Sequence, residues 1–189
     1  MSLQTFQETL VASSIAGTSF GSFTTAKTVI PPICLFQMPP NYLYVGKKLR
    51  ITARGGVGTL VTTPGTIVFQ VMVGAVIAYT TGNIQLNATA HTNIPFTLVI
   101  DLTCRAIGNG TNANFMGMGT LNGIMFTLTA AQVDGVNSSA TMQVPATAPA
   151  VGTSFDSTTA QILDFFVGFS INNAANTVKI EDYYVEALN

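Results

Sequence analysis

Apolar and polar side chains alternate one by one along several stretches of this chain, and that period of two constrains the fold more than any other feature. Over residues 96–106, Phe96, Leu98, Ile100, Leu102 and Cys104 fall on one side, while Thr97, Val99, Asp101, Thr103 and Arg105 fall on the other. Successive side chains of an extended strand point to opposite faces, so this is a strand with one face in a core. The alternation recurs over residues 48–54, where Leu49, Ile51 and Ala53 oppose Lys48, Arg50, Thr52 and Arg54. It recurs again over 162–171, with Leu163, Phe165, Val167, Phe169 and Ile171 on one face. No stretch carries a persuasive helical period.

Turn chemistry separates these runs. Pro64-Gly65 supplies the centre of a type II turn, proline presetting φ and glycine accepting φ > 0. The stretch "GGVGTLVTTPGT" around it reads as a connection between two strands. Residues 67–79 read as a run apolar on both faces, with Gly74 marking a bulge or a sharp bend. The pairs Pro31-Pro32 and Pro39-Pro40 forbid a central strand and favour extended corners. Asn122-Gly123 and Asp134-Gly135 are further turn pairs. About eight to ten short strands with such turns predict an all-β chain, an antiparallel β-sandwich that is jelly-roll-like. Residues 28–189 are expected to form that single domain. Residues 1–27 are polar and small and hold no period, so they are expected to be an extended N-terminal arm or a first edge strand.

Charged residues make up only 8% of the chain, against about 25% in an average soluble protein. The formal net charge is -1, so copies repel one another weakly. Such a surface suits a protein that meets other subunits over much of its area. The thinly spread Lys and Arg form no basic stripe with interleaved aromatics, which argues against direct nucleic-acid binding. No apolar run reaches the roughly 18 residues of a membrane span, and "MSLQTFQETLVASS" has neither the basic nor the apolar region of a signal peptide. Cys34 and Cys104 sit among apolar neighbours and are expected to be buried free thiols, with a single disulfide as the alternative. The sequons at Asn87, Asn109 and Asn137 arise easily by chance in a chain rich in Asn and Thr.

Nothing in the sequence gathers reactive groups. There is one histidine, His91, and two distant cysteines, which exclude a zinc pattern and leave any Ser or Cys triad without a choice of base. A Cys34–His91 dyad would need an accident of folding. Asp164 reads as a strand-end or outward-facing polar residue, and Glu181-Asp182 as alternating across a strand. The glycine-rich segments lack the Lys-Ser/Thr ending of a phosphate loop. The expectation is therefore a protein that is not an enzyme and has no catalytic, cofactor-binding or metal site. Two features read equally as interface or as ordinary structure. One is the basic row Lys47, Lys48, Arg50 and Arg54, with Asp101 as an intramolecular partner for Arg50 and Arg54. The other is the methionine–glycine run "NFMGMGTLNGIMF". A carbohydrate-binding alternative would draw on exposed Tyr42, Tyr44, Tyr79, Tyr183 and Tyr184.

The segments "ETLVASSIAGTSF", "PPICLFQMPPNYLYVGKKLRITARGGVGTLVTTPGTIVFQVMVG", "NIPFTLVIDLTCRAIG" and "YYVEALN" resemble small structural proteins of tailed bacteriophages. That family's pattern is an apolar-Pro segment, "Pxx(Y/F)LxVGKxLRIxAxG", "TTPGT" and an "N-x-P-(F/W)" strand. The resemblance covers most of the chain and implies a jelly-roll virion protein without enzymatic activity or cofactor. The function it implies is a capsid decoration (cement) protein that bridges and stabilises major capsid subunits, with a tail or head fibre component as the alternative. It further implies a homo-oligomer, with a trimer favoured, made in the host cytoplasm and located on the capsid surface.

Overall fold

The computed structural model describes residues 7–60, 62–124, 126–127 and 141–188. In chain order the strands begin with β1 (Glu8–Ala12), β2 (Phe20–Gly21), β3 (Lys27–Thr28), β4 (Phe36–Met38) and β5 (Lys48–Thr59). They continue with β6 (Thr66–Val73), β7 (Val76–Thr80), β8 (Ile84–Leu86), β9 (His91–Ala106) and β10 (Asn114–Asn122). They end with β11 (Phe126–Thr127), β12 (Thr141–Val144), β13 (Gln161–Phe169) and β14 (Thr177–Ala187). A single 3₁₀ turn at Pro32–Cys34 is the one helical element among the described residues.

The strands form two antiparallel sheets packed face to face. The first has the order β1-β14-β5-β9-β10-β12, with β2 also on β14. The second has the order β11-β8-β6-β13-β3, with β4 also on β13 and β7 on β6. The core lies between them, as the alternation requires: Leu49, Ile51 and Ala53 of β5 are fully buried, and so are Leu163, Phe165 and Val167 of β13. Rings bridge the two layers. Phe69 of β6 lies 5.4 Å from Phe96 of β9, and Phe165 lies 5.8 Å from Tyr183 of β14.

Two local expectations are corrected. Residues 55–59 are not a turn but the continuation of β5, with the crossover to the second sheet confined to residues 60–65. Within that crossover Gly65 has φ +74, as a type II turn demands. Over residues 67–79 the expected sharp bend at Gly74 is the turn of the hairpin β6–β7, closed by Gly74 and Ala75 between the paired Val73 and Val76. Gly74 has φ +58 at the first central position, where a type II′ turn needs glycine. The run read as apolar on both faces is buried on only one face of β6. Ile67, Phe69, Val71 and Val73 are buried, while Thr66, Val68, Gln70 and Met72 point outward and are half-buried.

Parts of the sheet edges are blunted. Residues 8–21 run along β14: β1 pairs with residues 184–187, Ser13 N donates to Tyr183 O, Gly17 N donates to Ile180 O, and β2 pairs with Thr177 and Val178. This segment is thus an irregular edge strand of the first sheet. On the second sheet, β3 and β4 are short and separated by Pro31-Pro32. On the other side, residues 146–155 form a seam between the sheets. Ala146 N donates to Thr81 O, Thr153 N to Ile77 O and Gly152 N to Phe115 O. Short, proline-bearing and covered edges resist edge-to-edge pairing.

Candidate interaction faces

The outer face of the first sheet collects most of the charge. It carries five cations (Lys48, Arg50, Arg54, Arg105, Lys179) and four acids (Asp101, Glu181, Asp182, Glu186) at the outward positions of β5, β9 and β14. Six of the nine form three ion pairs within the face. Arg50 Nε and Nη2 donate to Asp101 Oδ1 and Oδ2 at 2.7 and 2.8 Å, a bidentate fork across β5 and β9. Lys179 pairs with Glu181 at 2.7 Å. Arg54 does not share Asp101 with Arg50, as its type and position had allowed. It pairs instead with Asp182 at 3.2 Å, and its guanidinium lies 5.8 Å from the centre of the Tyr184 ring.

A bulge makes that second pair possible. The register of β14 against β5 shifts between Ile180 and Asp182. Ile180 and Tyr183 are both buried, so Glu181 and Asp182 both face outward. The expected alternation of these two acids is therefore wrong: a bulge inserts one extra residue and places two neighbours on one face. Gly55 accommodates it, since a Cβ there would overlap the Lys179 carbonyl oxygen and stand 3.0 Å from Ile180 Cα.

Lys47 does not belong to the basic row. It is buried, and its ammonium lies 4.3 Å from the Tyr42 ring centre and 5.1 Å from that of Tyr44. The five tyrosines do not form an exposed set either. Tyr79 and Tyr183 are in the core, Tyr42 and Tyr184 are half-buried, and only Tyr44 is exposed. Burial pushes the hydroxyls of Tyr79 and Tyr183 far up from the ordinary tyrosine range. The methionine–glycine run divides by face: Phe115 and Leu121 enter the core, whereas Met116 is half-buried and Met118 exposed on the outer face.

The outer face of the second sheet is different in kind. Its outward positions are Ile162, Asp164 and Phe166 on β13, Val68, Gln70 and Met72 on β6, Ile77 and Thr80 on β7, and Thr28 on β3. Asp164 lies in mid-strand rather than at the strand end, opposite Met72. Its Oδ1 accepts from Thr28 Oγ1 at 2.8 Å and from Phe165 N at 2.6 Å. Burial pushes its carboxyl above the usual carboxylate range, against the pull of those two donors.

The remaining polar candidates stay apart. His91 opens β9 opposite Thr59 of β5. Cys34 ends the 3₁₀ turn and Cys104 lies in β9; both are free and buried, and burial pushes both thiols up, away from the reactive thiolate. No group of three His, Cys, Asp or Glu able to hold a metal ion exists among the described residues. Asn87 Oδ1 accepts from Thr89 N, a local turn bond. Asn137 and Asp134-Gly135 lie outside the described residues. No protein-family model matches the chain, and no curated protein matches it.

Proposed function

We propose that this chain is a non-enzymatic virion structural protein of a tailed bacteriophage, a capsid decoration protein that bridges and stabilises major capsid subunits. The observation that carries the reading is the contrast between the two outer faces. One holds a ladder of charges with three ion pairs within the chain, and the other mixes apolar and neutral polar side chains around the single carboxyl of Asp164. A block with blunted edges and two prepared faces is suited to bridging neighbours and not to turnover.

The strand order supports the jelly-roll form of this reading. In the first sheet β14 lies between β1 and β5, and in the second β13 lies between β3 and β6. The last two strands thus each insert beside an early strand, as the return strands of a jelly roll do. The fibre alternative, with a carbohydrate-binding tip, loses support because two of its five tyrosines are in the core. The assembly proposed with the resemblance is a homotrimer. The test is co-sedimentation of the purified chain with tailed-phage capsids that lack a decoration protein. Saturable binding that raises the melting temperature of the shells is expected. No binding, together with a positive signal on a glycan array, would move the assignment to the fibre.

A further inference from the structure

We propose that the connection between β4 and β5, residues 39–47, is a receptor for a carboxylate side chain of a partner polypeptide, with Lys47 as its cation and Tyr42 and Tyr44 as its walls. Two turns shape it. Tyr42 N donates to Pro39 O, and Lys47 N donates to Tyr44 O. The connection is pinned at two further points, where Asn41 N donates to Ser157 O and Gly46 N to Cys104 O. Gly46 has φ +96, and no described atom lies within 4 Å of where its Cβ would stand, so the turn is open to solvent there.

Lys47 is the residue that calls for a partner. It is only 8% exposed, and a lysine is almost never buried so far without an acid beside it. Here no acid is beside it among the described residues. Their ion pairs use Arg50, Arg54 and Lys179, and no hydrogen bond joins the Lys47 ammonium to any of them. The ring faces of Tyr42 and Tyr44, 4.3 and 5.1 Å from Nζ, answer part of the charge. An ammonium carries three N–H donors, so two ring faces leave one without an acceptor. Tyr42 adds a second unanswered donor, because its hydroxyl is buried and has no hydrogen-bond partner among the described residues. Burial pushes that hydroxyl up, and the fields of Glu8 and Tyr44 add to the shift, so it keeps its proton. Glu8 is thus close enough to be felt at Tyr42, yet it forms no ion pair with Lys47.

A carboxylate suits this site better than a phosphate. Phosphate is held by a guanidinium fork or by a run of backbone N–H groups. Here one ammonium and one phenol stand beside apolar surface. Tyr44 is 46% exposed and Val45 61% exposed. They give the aliphatic stem of a glutamate a place to rest while its oxygens reach Lys47 Nζ, with the Tyr42 hydroxyl as the deeper donor. Arg105, next to the Cys104 that anchors the turn, adds a further cation, and the local field favours an anion. The site does not depend on shell binding, since any partner that offers a glutamate on an exposed segment can use it.

The experiment is NMR of the full chain, titrated with the peptide acetyl-Gly-Glu-Gly-amide at constant ionic strength and read at the lysine ε-methylenes and the backbone amides of the 39–47 connection. Lys27 is the internal comparison, because its ammonium also lies over two rings, those of Phe20 and Phe23. A saturable shift at Lys47 and Val45 is expected at millimolar peptide, with Lys27, Lys48 and Lys179 left in place. Inorganic phosphate at the same concentration is expected to shift Lys47 less. Lys47→Met keeps the stem, removes the charge and is expected to lose the saturable shift at Val45. Circular dichroism confirms that the variant is folded. If it is not, Val45→Asp at the exposed rim serves instead, read at the Lys47 ε-methylene, and is expected to weaken binding about threefold, as a like charge nearby in water does. Equal shifts at every lysine, no saturable shift at Lys47, phosphate binding as tightly as the peptide, or unchanged binding in the folded variant overturns the proposal. All of these are read on the purified chain without shells, so they stand apart from shell co-sedimentation.

Discussion

Gly55 of β5 lies so close to Lys179 of β14 that any side chain at position 55 would overlap the Lys179 carbonyl oxygen. The obstacle is backbone at a bulge, which cannot swing away as a side chain could. Gly55→Ala is therefore expected to cost about 2 kcal/mol or more, through displacement of β14 and the Asp182–Arg54 pair it carries. Equilibrium unfolding in urea measures it, and a change under about 0.5 kcal/mol, the usual range for an innocuous surface substitution, would refute the steric reading.

The bidentate Arg50–Asp101 pair is half-exposed on both sides, with side chains 39% and 41% accessible. Exposed pairs are screened and add little, whatever their geometry looks like. A double-mutant cycle with Arg50→Ala and Asp101→Ala is expected to return a coupling of about 0.5–1 kcal/mol, falling in molar salt. Under the proposed function, each single variant should alter shell binding more than it alters stability.

Alternation made the long strands legible before any coordinates. Phe96 to Cys104 and Leu163 to Phe169 each show the expected inward set. It failed where the local chemistry pointed to something else. The glycines of residues 55–58 read as turn because glycine is the usual turn residue, yet here small size lets neighbouring strands approach. The bulge at Glu181 is invisible in one strand's pattern, because it exists only relative to β5. Tyr79 and Tyr183 read as exposed candidates because tyrosine burial depends on which layer covers it. Charge pairing was half legible: Arg50 finds the expected Asp101, but Arg54 follows the shifted register to Asp182.

Asp164 gives the fold a pH dependence of definite sign. Its folded pKa is raised by burial, so the folded state holds the proton more tightly than the unfolded chain. The stabilising contribution is complete below the unfolded carboxyl's pKa of about 3.9 and is lost as pH rises through the higher folded value. Asp164→Asn removes the titration and keeps an oxygen acceptor for Thr28 and Phe165. The variant should be more stable than the parent at pH 7, with the gap closing toward pH 4. Urea midpoints at several pH values test this, and a parent that outlasts the variant at pH 7 would reverse the assignment.

Cys34 and Cys104 are both buried and unpaired, and burial pushes both thiols up. A thiol must ionise and be reached before it reacts. Neither is expected to react with a disulfide reagent at pH 8 in the folded protein, and both should react at once in denaturant. The mass of the chain should be unchanged by reduction. Rapid modification of one thiol in the native state would show that its cover opens locally.

The segment of residues 8–21 carries the last prediction. A tie that ordered only on contact with another molecule could be removed at no cost to the isolated chain. Here, however, β1 pairs with β14 from Glu8↔Ala187 to Ala12↔Tyr184, and Ser13 and Gly17 add backbone bonds of 2.7 Å each. Leu10, Val11 and Phe20 pack against the core. Each net backbone bond contributes about 1 kcal/mol, and the apolar side chains add to it. Deleting residues 2–25 is thus expected to cost several kcal/mol and to uncover the edge of β14, a strand with Val178, Ile180, Tyr183 and Val185 on its buried face. The truncated chain should unfold at lower urea and aggregate where the full chain stays dispersed. An unchanged midpoint would mean that the segment only rests on β14, and its contribution would then have to lie in contacts outside this chain.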